Sequence, residues 1–213
     1  MSTILYVKAS PRGPRSHSIA VADVFLEALQ EKIPEAIVKT RNLFEMDLPA
    51  FDGPVLQAKY NVLHGLTHDP AQLKAWQDVA AYVDELKSCA GLVMAVPMWN
   101  FSIPYRLKQY IDLIVQPGVS FEADGSGARG LIPDKPVFIA YASGGQYPPG
   151  TGAQALDFQK PYLETILNYV GLKDIRSVRV EATLAGEETV TERRARAFEQ
   201  ALAMAAAFFA TRG

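Results

Sequence analysis

Residues 91–96, Gly-Leu-Val-Met-Ala-Val, are all apolar or small. A strand of that composition has no face to give to water, so it must lie in a sheet covered on both sides, the habit of parallel sheets with helical crossovers. The rest of the chain carries the matching pattern. Apolar runs at 3–8, 36–41, 137–142 and 175–181 alternate with helix-like stretches at 18–32, 69–87, 104–115, 155–170 and 187–210. This alternation predicts repeated strand-helix units. Pro34 stops the first helix, Asp69-Pro70 reads as an N-cap with proline at the first helical position, and Gly171 reads as a left-handed stop. Residues 42–68 read as a long irregular connection leading to that N-cap, and 117–136 as a Gly-rich excursion.

Every connection is long enough for a right-handed crossover. Five strands joined that way fit an α/β, flavodoxin-like three-layer sandwich with a five-stranded parallel sheet of order 2-1-3-4-5. The 213 residues suffice for one such domain, 1–213, and would be cramped as two. In this order the first and third strands are neighbours, and a crevice opens outside their carboxyl ends. The loops that follow them, 9–18 and 97–104, would meet across one pocket.

Composition removes several classes of function. A formal net charge of -2 offers no basic surface for nucleic acid. No apolar run reaches the roughly 18 residues of a membrane span, and the N-terminus turns polar too soon for a signal peptide. The expectation is a cytoplasmic protein with no membrane partner. The one cysteine, Cys89, forbids an internal disulfide and reads as a small buried hydrophobe. His64 and His68 have i, i+4 spacing, but Gly65 and Asp69-Pro70 interrupt the helix face they would need, so surface histidines and no metal are expected. Ser143 as a nucleophile lacks the flanking G-x-S-x-G, and all three histidines precede it, against the hydrolase order.

The first loop is ASPRGPRSHS. Ser10 ends the strand, and Ser16 and Ser18 bracket His17 where the helix begins, so several hydroxyls join free N–H groups at a helix N-terminus. Such an end binds phosphate. A plain N-cap would also use a serine, but three serines in one loop favour the phosphate. His17 is expected to contribute its backbone N–H, with Arg12 and Arg15 nearby as charge. The loop has neither G-x-x-x-x-G-K-[ST] nor G-x-G-x-x-G, which excludes a P-loop and a dinucleotide fingerprint. In the second loop Trp99, Asn100 and Phe101 lie between Pro97 and Pro104; they offer a flat wall and an amide able to both donate and accept. In the third, Ala142-Ser143-Gly144-Gly145, paired glycines let backbone approach a ligand, though they also suit an ordinary turn. A mononucleotide flavin meets all of this, with one phosphate for the serines and a flat ring for the aromatic wall.

Together the three loops resemble the FMN-dependent NADH:azoreductase and NADH:quinone oxidoreductase family. The shared elements are S-P-x-x-x-x-S-x-S at 10–18, P-M-W-N-F at 97–101, L-K-Q-Y-I-D at 107–112, G-V-S-F at 118–121, G-L-I at 130–132 and S-G-G at 143–145. The resemblance implies that Ser10, Ser16, His17 and Ser18 hold the phosphate end. Met98, Trp99, Asn100 and Phe101, with Ala142, Ser143, Gly144 and Gly145, would surround the isoalloxazine. Ala142-Ser143 departs from the serine-arginine-glycine-glycine of the family and puts pocket charge and substrate preference in question. The resemblance further implies a homodimer with flavin at the interface and no catalytic side chain, because the flavin carries the chemistry. NADH or NADPH would be the donor and a quinone or azo compound the acceptor. The long 42–68 and 121–130 segments suit coverage of a partner's pocket, with Lys59, Phe121 and Tyr169 as substrate-pocket candidates. The rival readings are a flavodoxin-type electron carrier, another FMN-dependent NAD(P)H reductase, and a flavin-free regulatory or scaffold domain.

Overall fold

A computed structural model of the chain describes residues 2–125 and 127–210. Its main sheet contains β1 (Thr3–Lys8), β2 (Ile37–Asn42), β3 (Gly91–Pro97), β6 (Val137–Ala142) and β7 (Ile175–Val180) in the order β2-β1-β3-β6-β7. All four pairings are parallel, which is the predicted 2-1-3-4-5 order. The intervening β4 (Phe121–Asp124) and β5 (Gly127–Gly130) form a separate antiparallel hairpin.

Strand residues alternate between two cores, as the two-residue period of a strand requires. Ile4, Tyr6, Val93, Ala95, Phe138 and Ala140 pack with α1 (His17–Lys32) and α6 (Glu187–Ala206). Leu5, Val7, Leu92, Met94, Val137 and Ile139 pack with α3 (Pro70–Ser88), α4 (Tyr105–Ile114) and α5 (Lys160–Tyr169). The Phe25 ring stacks on Phe138 at 3.9 Å and meets Phe208 edge-on at 5.0 Å, tying both helices of the first layer to the middle of the sheet. The expected cap of α3 is a full capping box, with Asp69 and Gln72 satisfying each other's backbone N–H groups.

Five expectations need correction. Residues 42–68 contain a further helix, α2 (Gly53–His64), which has Pro54 in its first turn and stops at Gly65 with φ 64°. The Gly-rich excursion contains the β4–β5 hairpin. The stretch 155–170 is not one helix: a short turn at Gly152–Leu156 is followed by a break, and α5 starts only at Lys160. Pro161 explains the break, since a residue without an N–H fits the first helical turn and not its interior. The last helix ends at Ala206, not Ala210, because Phe208 turns inward onto Phe25 and the edge of Gly91. Of the two histidines, His64 is exposed, but His68 is half-buried and its Nε2 bonds the Ala58 carbonyl at 2.9 Å.

Cys89 is buried as expected; its thiol donates to the Leu86 carbonyl (3.2 Å), and burial pushes its pKa up. Beside it lies a group with no local pattern to mark it. Lys135 is buried and its Nζ donates to the carbonyls of Leu86 (2.7 Å), Lys87 (2.9 Å) and Cys89 (2.7 Å), capping the carboxyl end of α3.

Candidate functional site

The loops after β1, β3 and β6 emerge side by side at the carboxyl edge of the sheet, because those three strands are consecutive neighbours. Backbone bonds hold them together: Ala9 N donates to Ala95 O (2.9 Å), Met98 N to Ala142 O (2.7 Å) and Ser143 N to Val180 O (3.0 Å). The predicted meeting of 9–18 with 97–104 is therefore built into the strand order.

In the first loop Ser10, Ser16 and Ser18 are all buried, Ser18 completely. Ser16 is the N-cap of α1, its Oγ accepting from Ile19 N at 3.4 Å and lying 3.1 Å from Ser18 Oγ. Ser10 Oγ accepts from Arg12 N at 3.4 Å. A serine hydroxyl can make about three hydrogen bonds, and these long contacts leave capacity at a helix start whose dipole favours an anion. Burial, then the charges of Arg194 and Arg12, hold the His17 imidazole below its usual pKa.

The second loop folds back at once. Trp99 N donates to Ser102 O (2.8 Å) and Ser102 N to Trp99 O (3.0 Å), closing a two-residue turn in which Asn100 (φ 47°) and Phe101 (φ 69°) are both left-handed. Asparagine tolerates that region, whereas for Phe101 it costs roughly 1–2 kcal/mol. The turn is held from outside by Phe158 N donating to Phe101 O at 2.9 Å. Strain of this kind at a loop tip marks a place where backbone direction matters more than comfort. Phe101 is 46% exposed, while Trp99 is half-buried against Phe44 (5.6 Å) and Tyr105 (6.2 Å).

The third loop is pinned by Ser143 Oγ donating to Gly145 O (2.9 Å), Thr183 N to Ser143 O and Ala182 N to Gly145 O (both 3.1 Å). A Cβ on Gly144 would stand 2.7 Å from Leu184 Cδ1, a side chain that is 87% exposed at the rim.

The twelve predicted cofactor residues thus lie on three loops at one edge. Of the three substrate-pocket candidates, Phe121 and Tyr169 do not join them within the chain. Phe121 and Tyr169 meet each other (ring centroids 4.9 Å) on the hairpin and the end of α5, beside the segment that leads into the start of β7 and so toward the amino edge of the sheet. Lys59 lies on α2 with its ammonium 5.5 Å from the Phe51 ring centroid. Sequence reasoning missed a supporting set. Arg106 Nε donates to Leu43 O (2.8 Å) and its Nη2 to Met46 O, and Gln109 Nε2 donates to Leu48 O (3.2 Å) and Pro49 O (3.0 Å), clamping the loop that carries Phe44 to Trp99. Buried Gln159 donates to Val96 O (3.0 Å) at the end of β3. Among these, Arg106 and Gln109 had a signal, being polar residues one turn apart on an otherwise apolar-faced helix.

Comparison with known proteins agrees with this geometry. A family profile described as "Flavodoxin-like fold" matches residues 2–205. An FMN-dependent NADH:quinone oxidoreductase of Nitratidesulfovibrio vulgaris is 51% identical over 209 residues, covering 98% of this chain and 100% of its own. One of the same name from Desulfotalea psychrophila is 42% identical over 86% of this chain and 87% of its own. Among solved structures, an FMN-dependent NADH-azoreductase from Bacillus anthracis in complex with FMN superposes with a TM-score of 0.86 at 27% identity, covering 96% and 98% of the two chains. With the fold, the three-loop edge and nearly full-length identity in agreement, the chain belongs to the flavodoxin-like family of FMN-dependent NADH:quinone oxidoreductases.

Proposed function

We propose that residues 1–213 act as one FMN-binding domain that oxidises NADH or NADPH and reduces quinones and azo compounds, cleaving the latter to amines. The observation that carries this reading is the triple of buried serine hydroxyls at the α1 start, set beside a left-handed turn and a glycine loop on one sheet edge. The residues fit FMN: the serines have spare hydrogen-bonding capacity for one phosphate, and the Trp99–Phe101 turn presents an amide and an exposed ring. Bound there, FMN would take up hydride from the nicotinamide and pass two electrons to the acceptor.

The chain's own part is to bind, orient and exclude water. Ser10, Ser16, His17 and Ser18 hold the phosphate. Met98 and Trp99 border the ring, and Asn100 bonds its polar edge, where charge grows on reduction. Phe101, Ala142, Ser143, Gly144 and Gly145 complete the enclosure. No nucleophile or metal ligand is required.

A homodimer with flavin at the interface completes the reading. Exposed Phe101, Phe158 and Leu184 at the rim and Tyr60, Leu63 and Leu66 on and after α2 are the apolar surface such a partner would cover. Lys59, Phe121 and Tyr169 serve in this reading the pocket of the second copy. Among the described residues no helix is long and apolar enough to cross a membrane, consistent with a cytoplasmic enzyme.

The test is direct. Purified protein should be yellow and release FMN on acid treatment; FAD would refute the assignment. Anaerobic NADH or NADPH should bleach the protein without acceptor, and initial-rate lines at several quinone concentrations should be parallel. Absence of bleaching by either nucleotide would favour a flavodoxin-type carrier.

A further inference from the structure

The phosphate site described above has hydroxyls and a helix start but, within the motif loops, no charge held in place by packing. Arg12 and Arg15 are exposed on the loop. The structure supplies a candidate from the far end of the chain. β1 and β7 are both parallel strands of one sheet, so α1 and α6 both leave its carboxyl edge and pack together on the same face. This brings the early turns of α6, with Arg194, to the side of the site where α1 begins.

Arg194 is half-buried, and its guanidinium carbon lies 5.5 Å from the Phe198 ring centroid. Its Nε is buried with no hydrogen-bond partner among the described residues. Among the described residues it joins no ion pair, whereas Arg41, Arg129, Arg176, Arg179 and Arg196 each bond a carboxylate, and Arg106 bonds backbone carbonyls. An unpartnered buried guanidinium N–H is costly, and a site that receives an anion removes that cost. The placement agrees with the electrostatics of His17, the first residue of α1, whose protonated form is disfavoured first by burial and next by the charge of Arg194.

We infer that Arg194 is the packed counter-charge of the phosphate site, a contact from α6 that sets preference for a phosphate monoester dianion over the uncharged ligand. This rests on the FMN reading and adds a residue that none of the three loops contains. The Phe198 ring packs against the guanidinium, so unlike the exposed loop arginines it offers its N–H groups with less of a free side chain to order.

The experiment compares apo-protein of wild type, Arg194→Gln, Arg194→Lys and Arg193→Gln, titrated with FMN and with riboflavin, and with inorganic phosphate by thermal shift. Wild type should prefer FMN and be stabilised by phosphate. Arg194→Gln should weaken FMN tenfold or more, leave riboflavin within about twofold and abolish the phosphate shift, with Arg194→Lys intermediate. Arg193→Gln removes the same charge one residue away and should bind FMN within about threefold of wild type. Unchanged FMN preference in Arg194→Gln, equal loss of both ligands, or an equal effect of Arg193→Gln would each overturn the role of Arg194 while leaving the FMN reading intact. A wild type that binds riboflavin as tightly as FMN would instead overturn the phosphate site itself, and the inference with it.

Discussion

Replacing Ser16 and Ser18 one at a time separates helix capping from phosphate binding. Ser16 Oγ does two jobs: it caps α1 through Ile19 N and is proposed to hold phosphate. The cap bond is long, 3.4 Å, so its loss should sit near the low end of the N-cap range, about 0.5–1 kcal/mol. For a chain of this size that lowers Tm by roughly 1–4 °C. Among the described residues Ser18 Oγ caps nothing, and its one side-chain partner is Ser16 Oγ at 3.1 Å. Ser18→Ala should therefore lower Tm less than Ser16→Ala in the apo-protein. Toward FMN both lose a hydrogen bond to a charged group, about 1.5–3 kcal/mol each, or roughly 10- to 150-fold in Kd. The double variant need not show the sum, because the hydroxyls touch. Titrating each apo-protein with FMN and with riboflavin, alongside thermal unfolding, reads all of these quantities. Equal weakening of FMN and riboflavin by Ser18→Ala would move the phosphate elsewhere and refute the reasoning.

Asn100→Gly should relax a turn held at φ 47° and Asn100→Ala should strain it by about 1 kcal/mol, yet both should shift the flavin potential or lower turnover if the amide bonds the ring; an unchanged potential and rate in both would leave Asn100 a turn residue. A Cβ at Gly130 would lie 2.2 Å from Gly171 N and Val170 C, backbone atoms that cannot yield, whereas one at Gly144 meets only the exposed tip of Leu184. Gly130→Ala should cost more than about 4 kcal/mol and Gly144→Ala far less, which urea unfolding would compare. Burial pushes the Glu85 pKa up, but hydrogen bonds from Arg41 and Lys39 outweigh it and bring the carboxyl below its usual value. Its stabilisation is complete above the unfolded pKa near 4.5 and disappears as pH falls through the lower folded value. Glu85→Gln should accordingly flatten the acid side of a plot of Tm against pH, and an unaltered slope would remove Glu85 from the account of acid stability.

The strands and crossovers were legible because each is a local pattern: an apolar run such as 91–96 has one stable setting, and Asp69-Pro70 or Gly171 punctuates the chain by its own geometry. What escaped was of two kinds. α2 and the break before α5 turn on Pro54, Gly65 and Pro161, signals present in the sequence but lying in stretches whose apolar spacing is weak. Lys135 carries no local signal of purpose, because its carbonyl partners are 46 to 49 residues away, nor does Arg194, whose proposed role involves a helix start at the other end of the chain; Arg106 and Gln109 stand out as polar residues one turn apart, but the loop they clamp is 60 to 63 residues away. The substrate-pocket candidates show the same limit from the other side. Family motifs name Phe121, but only the topology reveals that it lies away from the loops of its own chain.

The three loops differ in what fixes them, and the difference bears on how such a pocket can vary. The serine loop is fixed by a helix start, the glycine loop by three backbone bonds, and the Trp99 turn by two internal bonds with Phe158 N and Met98 N on either side. Most of these restraints run through backbone atoms, so side chains can change without moving the loop. Ala142-Ser143 is an example: Ser143 bonds its own loop at Gly145 O, and a neutral pair stands where the family pattern would place an arginine, leaving the loop's backbone bonds in place. In the proposed pocket, selection among acceptors would then fall to the exposed rim, Phe101, Phe158 and Leu184, whose side chains carry few of the bonds that hold the loops. Phe158 is the exception that couples the two levels, since its N–H clamps the left-handed turn while its ring stands in solvent. Phe158→Ala should leave the clamp intact and alter acceptor preference, whereas a proline there would remove the N–H and release the strain stored at Phe101. Measuring flavin potential and acceptor KM in both variants separates these effects; a shifted potential in Phe158→Ala would show that rim and clamp are not independent.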